Sequence, residues 1–393
     1  MSSVYQPSEK WELGSLGLNN QTWIEDTWTK IVAKIGQTSE RIGSTFPHVS
    51  KNGRYDATSP NWWTAGFWPG MLWTIYADTK EERLRQIAEA CEVELDSVLQ
   101  RFYELDHDMG FMWTLTARAN YRLTGNLESR RRALAAASHL AGRFNLAGGY
   151  IRAWNSGAGQ SVDKTGWAII DCMMNLPLLY WASEEILDPR FRHVARAHAD
   201  TVLREFIRPD GSVYHIVCFD PETGERVAAL GGQGHAEQSA WSRGTAWALY
   251  GCALTYAYTR EERFLDAAKR VSHFFVANLP ADWVPYWDFR VDAKTDTPRD
   301  ASAAAIAACG LLEIAKWVPE VERSAYQQSA CRILQSLTSH YASWELEEEG
   351  LILQSTGNAP QNQNVNVPII YGDYYFVEAI ARLSNRMMLN ETK

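Results

Sequence analysis

The chain has 393 residues, 46% hydrophobic and 22% charged, with a net charge of −9. That composition supplies a sizeable soluble core. With its 38 Lys and Arg scattered rather than clustered, it argues against nucleic acid or an anionic membrane as a partner. A small anionic ligand is not excluded, because one buried Arg can hold one carboxylate.

The six cysteines (Cys91, Cys172, Cys218, Cys252, Cys309, Cys331) are far apart, and neither CxxC nor a Cys/His ligand spacing occurs. Reduced, buried thiols in a cytoplasmic protein are expected, with no metal. The start, MSSVYQPSEKWELG, lacks a basic region followed by an apolar stretch, so no signal peptide is predicted. No segment is long and apolar enough to span a bilayer.

Apolar residues at i, i+3 and i+4 predict helices over 22–38, 65–77, 81–103, 109–124, 128–145, 165–185, 190–207, 240–259, 261–278, 300–317, 321–342 and 368–387. Asp188-Pro189, Pro319 and the Gly/Asn-containing joins at 125–127 and 146–149 punctuate them. Strand-like pieces are few: SVYHIVCF (212–219) and WVPYWDF (283–289), read as short hairpins or extended loops capping a helical body. No linker or shift in composition divides the chain. One all-α domain over 1–393 is expected, with 1–20 an extended N-terminal segment. Paired helices at this spacing suit a helical toroid or a solenoid. Function is expected in the long loops 44–66, 147–166, 208–240, 279–300 and 344–369, which are rich in Trp, Gly, His, Gln and Asn.

The 17 Trp are the compositional oddity. Trp62, Trp63, Trp68, Trp154, Trp241, Trp247, Trp283 and Trp287 sit beside polar or Gly-rich positions, where an indole face can stack on a sugar ring; most of the 17 are expected merely to fill helical cores. In LDHDMGFMW (105–113), Asp108 precedes an apolar helix and Gly110 permits a close approach of backbone or ligand. Asp171 stands in GWAIIDCMMNLPLLYW (166–181), where packed Ile, Met and Leu would desolvate it and raise its pKa, as suits a group exchanging protons near neutrality. Two carboxylates in unequal settings can divide acid and base roles. For either Asp alone, a helix cap or a satisfied structural carboxylate serves equally well.

His215, on the strand SVYHIVCF, is by itself more often structural than functional. GGQGHAEQSAWSRGTAW (231–247) places Gln233 and His235 in a glycine-rich loop, then Arg243 with Trp247 four residues on, along one helical face. A guanidinium there could clamp a carboxylate while the indole stacks on the ring that carries it. No two His share a ligand-like spacing with a carboxylate outside the HAEQ and HDMG fragments. GxxxxGK[ST], GxGxxG and GxSxG are absent, so no cofactor is expected.

Seven blocks in order, NWWTAGFWPGMLW (61–73), LDHDMGF (105–111), IIDCMMNLPLLYW (169–181), YHIVCFDPETG (214–224), QG…WSRGTAW (233–247), YWDF…RDASAAAIAACGLLEIA (286–315) and YGDYYFVEAIARL (371–383), resemble the unsaturated glucuronyl hydrolases of glycoside hydrolase family 88. The likeness runs from about residue 46 to 385. It implies an (α/α)6 barrel with short β-hairpins and loops at one end. The implied activity removes a 4,5-unsaturated uronic acid from lyase-generated di- or oligosaccharides. Asp171 is implied as general acid/base and Asp108 as its essential companion; Trp63, His215, Gln233, Arg243 and Trp247 are implied to line the substrate site. Some family members carry Ser and Lys or Arg before the GDYY block to bind a sulfate. Here QSTGNAPQNQNVNVPII (354–370) has no Lys or Arg, so strong preference for sulfated disaccharides is not expected. A monomer or weak homo-oligomer is expected. Two other readings remain at this stage: an (α/α)6-barrel sugar epimerase, which would need catalytic His pairs, and a non-catalytic sugar-binding protein.

Overall fold

The structure, a computed structural model, describes residues 18–101, 103–156, 162–294, 296–386 and 389. The expected extended segment at 1–20 therefore lies, up to residue 17, outside the described residues. Thirteen α-helices occur among the described residues: α1 Leu18–Ile42, α2 Phe67–Thr79, α3 Glu82–Arg101, α4 Met109–Leu115, α5 Ala117–Thr124, α6 Leu127–Ala141, α7 Leu176–Glu185, α8 Pro189–Glu205, α9 Ser242–Thr259, α10 Glu262–Ala277, α11 Ala301–Trp317, α12 Glu320–Ser336 and α13 Ile370–Leu383.

Their packing closes a ring. α2 packs on α4, α4 on α7, α7 on α9, α9 on α11, α11 on α13, and α13 back on α2. Sequence explains which helices are inside. α9, α11 and α13 are apolar nearly all round and buried along almost their whole length. Such helices have no face to give to water. α1, α3, α6, α8, α10 and α12 are amphipathic and pack outside α13, α2, α4, α7, α9 and α11 respectively. The result is an (α/α)6 barrel. The Ala-rich stretch at the start of α11 lets its backbone approach α9 and α13 closely.

The expected helix 165–185 is corrected. Its first half forms strand β1 (Trp167–Ile169) and a 3-10 turn over Ile170–Met174. Pro177 explains the break: it lacks an N–H and its ring collides with the carbonyl four residues back, so α7 can only begin around it. The expected helix 109–124 is broken at Thr116, which lies outside helical geometry (φ −114°, ψ −90°) and turns its hydroxyl back onto the Met112 carbonyl at 2.6 Å. Of the two expected strands, 212–219 supplies β2 (Ile216–Phe219), the centre of an antiparallel sheet between β1 and β3 (Arg226–Leu230). The segment 283–289 makes only isolated bridges, Trp241 to Asp288 and Tyr286 to Arg299. Pro285 has no N–H to give a ladder there. All six cysteines are buried and unpaired. No described helix is long and apolar enough to cross a membrane.

Candidate active site

Because each outer helix returns the chain to the same end of the barrel, all six inner helices begin there. Contacts between those beginnings define the site. Trp63, in the turn before α2, stacks on Tyr371 of α13 at 5.1 Å between ring centroids. Tyr371 lies under the Arg243 guanidinium of α9 at 5.0 Å, and Arg243 pairs with Asp300, at the start of α11, at 3.0 Å.

Asp171 projects from the 3-10 turn between buried Ile170, Cys172 and Met173. Its side chain is 14% exposed. One oxygen, Oδ2, is fully buried and accepts no hydrogen bond. Burial pushes its pKa up to about 7, against the charge of Arg243 and a backbone hydrogen bond, which pull the other way. Asp108 occupies the cap position of α4 without capping it, so the helix-cap reading of this residue fails. Its Oδ1 instead accepts from Asn175 Nδ2 at 3.2 Å and lies 3.4 Å from His107 Nε2. Burial holds its pKa far above the carboxylate range, and the nearby charges of Asp106 and Asp171 add to that. Gly110 is needed for this arrangement: a Cβ there would sit 2.3 Å from the Asn175 Cβ. The close approach foreseen at Gly110 is thus of backbone on backbone.

His215 faces Asp171, its Nε2 3.8 Å from Oδ2. Its Nδ1 accepts the Gln233 backbone N–H at 2.9 Å. Burial, reinforced by Arg243, lowers its pKa to about 3, so the ring is neutral and its one proton sits on Nε2, towards Asp171. Gly232 makes the contact possible. It lies at φ +59°, and a Cβ would fall 2.1 Å from His215 Nδ1.

Two expectations are corrected here. The Arg243 fork is already occupied: Nη1 donates to Asp300 and to the Thr356 carbonyl, and Nη2 to Gln233 Oε1 at 2.5 Å and the Gly357 carbonyl at 2.8 Å. A guanidinium so deeply buried has to be neutralised and hydrogen-bonded by the protein itself. It is not an open clamp in this structure. Trp247 is completely buried against Phe111 and Tyr375, one turn too deep to present a face to a sugar. Trp68 is likewise core. The indole that does meet the site is Trp241, 4.3 Å from the His215 ring and 4.4 Å from the Arg243 guanidinium. It was legible only as one of eight Trp beside polar positions. Asn175 and Asp300 were not foreseen as site residues. Both carry weak signals, an Asn directly before Leu-Pro and an Asp directly before an Ala run. His235, in the same loop as Gln233, is exposed and sits beside Trp287 instead. Among the described residues no group of three His, Cys, Asp or Glu side chains could hold a metal ion.

The sequence profile of Glycosyl Hydrolase Family 88 matches residues 38–386. The chain belongs to this family. It is 39% identical over 349 residues to an unsaturated glucuronyl hydrolase of Bacillus sp. (strain GL1), covering 88% of this chain and 92% of that one. It is 36% identical to an unsaturated chondroitin disaccharide hydrolase of Streptococcus pyogenes serotype M1, over 85% and 84% of the two chains. The crystal structure of the unsaturated glucuronyl hydrolase from Bacillus sp. GL1, responsible for the degradation of glycosaminoglycan, superposes on this family 88 hydrolase with a TM-score of 0.87. The two share 37% identity, over 91% of this chain and 96% of that one.

Proposed function

We propose that this glycoside hydrolase removes 4,5-unsaturated glucuronic acid from the non-reducing end of lyase-generated oligosaccharides, with Asp171 as general acid and base. The observation that carries the reading is the Asp171 carboxyl itself, with its buried, unpartnered Oδ2 and a pKa of about 7. At neutral pH it holds a proton on about half the molecules and has an oxygen not committed to any other group.

The substrate is a vinyl ether, its C4=C5 double bond conjugated with the ring oxygen and the carboxylate. Asp171 gives its proton to C4, leaving oxocarbenium character at C5. The resulting carboxylate takes a proton from the water that adds to C5. The hemiketal then opens and expels the remaining sugar. The distance rule for glycosidases attacking the anomeric carbon does not govern this chemistry.

Asp108 stays protonated through burial and can donate to a sugar oxygen as a neutral carboxyl. His215 contributes its Nε2–H and, with its low pKa, keeps that tautomer across the working range. Because Arg243 is donor-only, it fixes the oxygen of Gln233 towards itself and so turns the Gln233 amide NH2 outward as a donor. Arg243 then serves an anionic sugar by its charge, and the half-buried Trp63 offers an apolar face. The ring closes only when all twelve inner and outer helices are present, which supports reading the chain as one catalytic domain.

Mixing the protein with lyase-generated unsaturated disaccharides should remove the ultraviolet absorbance of the conjugated double bond. No loss across chondroitin, hyaluronan, heparin, gellan and xanthan products would overturn the assignment. Within that panel, unsulfated or differently sulfated substrates should be preferred, since residues 354–370 offer a desolvated sulfate no cation. Equal kcat/KM on a sulfated disaccharide and its unsulfated match would remove that selectivity.

A further inference from the structure

Behind the strand of chain that carries Asp108 lies a second cavity, of about 150 Å3, lined by Arg143, Arg152, Asn155, His139 and Met109 among others. A water's share of liquid volume is about 30 Å3, so the space exceeds what one water fills. Its two arginines differ from the fully buried ones of this protein. The buried Arg243 is met by Asp300, and the buried Arg382 by Glu313 and Glu378. Arg143 and Arg152, by contrast, have no carboxylate within ion-pairing distance among the described residues.

Arg143 spends its fork on neutral acceptors: the carbonyls of Arg152 at 3.0 Å, Leu105 at 3.3 Å and Ala153 at 2.9 Å, and Asn155 Oδ1 at 2.8 Å. Arg152 makes a single such bond, from Nη2 to Asn155 Oδ1 at 3.2 Å, and its Nε is buried with no partner. The nearby acids bond elsewhere, and Asp106 and Asp108 act on Arg143 only through their charge. Asp106 takes the Asp108 backbone N–H, and Asp163 takes the hydroxyls of Ser156 and Thr165. Two guanidinium charges that repel one another and line one cavity, with no carboxylate bonded to either, form an arrangement that a bound anion would complete.

We propose that this cavity binds a small oxyanion, a sulfate, phosphate or carboxylate group, with Arg152 as its hydrogen-bonding contact and Arg143 as the fixed charge beneath it. The site adjoins the catalytic end through a short path. Arg143 holds the Leu105 and Ala153 carbonyls, and Ala153 also receives the His107 backbone N–H at 3.1 Å, one residue before Asp108.

The test is calorimetric titration at constant ionic strength with sodium sulfate, sodium phosphate and sodium glucuronate, against a chloride control. One saturable site with a Kd of about 1 mM or tighter is expected for at least one of the three. Arg152→Gln should weaken it about tenfold or more, because the paired donors and the charge are both lost. Turnover in chloride should be unchanged in that variant. Arg152→Lys, which keeps the charge and loses the fork, should weaken binding less than Gln. Binding of sulfate or phosphate identifies a free-ion site. Binding of glucuronate alone identifies a subsite for an acidic sugar. Absence of saturable binding for all three, or binding untouched by both Arg152 variants, overturns the proposal. The readout is binding and not turnover, so it stands or falls apart from the proposed reaction.

Discussion

Two sets of carboxylates are buried inside this barrel, and they behave in opposite ways. At the loop end, Asp171 is desolvated, has an unpartnered oxygen and is pushed up to about 7. Towards the far end, Glu313 is as deeply buried, yet Lys316 and Arg382 overcome the desolvation and hold it down to about 2. Arg382 there reaches Glu313 at 2.7 Å and Glu378 at 2.9 Å, and Tyr250 joins the same cluster. Burial alone therefore does not make a proton donor. Withholding a partner does, and the nearest cation to Asp171 has been given to Asp300 instead.

The contrast predicts a double dissociation. Asp171→Asn should lower kcat about a thousandfold or more, in the upper range for loss of a positioned acid/base, without lowering Tm. Arg382→Met should cost about 3–5 kcal/mol of stability by stranding two buried carboxylates. The folded fraction of that variant should retain its kcat. A destabilised Asp171→Asn, or an Arg382→Met variant that loses kcat while remaining folded, would break the comparison.

Gly232→Ala tests the support beneath His215. Its new Cβ would fall 2.1 Å from Nδ1, so the ring has to move; kcat/KM of the folded protein should fall about 100-fold, and Tm should fall as well because the site lies at φ +59°. Unchanged kinetics would mean that the His215 position does not matter. The pH profile is a finer test. Asp171 works in its protonated form and its raised pKa is about 7, so kcat/KM should decline above that point, about tenfold per further pH unit. A flat profile from pH 6 to 9 would remove Asp171 as the acid. The smallest effect is expected at Trp247→Phe. It should cost stability, less than the roughly 3–5 kcal/mol of full truncation, and leave KM nearly unchanged because the indole is core. A several-fold rise in KM would restore Trp247 to the substrate site.

Much of this was legible in the sequence, for identifiable reasons. The helical periodicity found the barrel because its six outer helices are amphipathic, and period is what such a stripe displays. It failed in 165–176, where Ile, Cys and Met are buried on all sides and carry no period; Pro177 was the overlooked signal. Asp108 and Asp171 stood out as carboxylates in apolar company. The residues that set their surroundings did not, because Asn175 reaches Asp108 across 67 residues of chain and Asp300 reaches Arg243 across 57. Spacing also misled. Arg243 and Trp247 do share a helical face, but one turn of helix separates the site from the core, and Trp241, before the helix begins, is the indole that contacts His215 and Arg243.

The seam between the first and last helices has a consequence for how the protein is made. α1 packs on α13, and Lys34 of α1 reaches the carbonyls of Ser343 at 2.6 Å, Glu345 at 3.0 Å and Gly350 at 3.0 Å. During synthesis, α1 therefore emerges long before the surface it covers exists. Its apolar stripe of Ile24, Trp28, Ile31 and Ile35 must wait, exposed or held by a chaperone, until the end of the chain arrives.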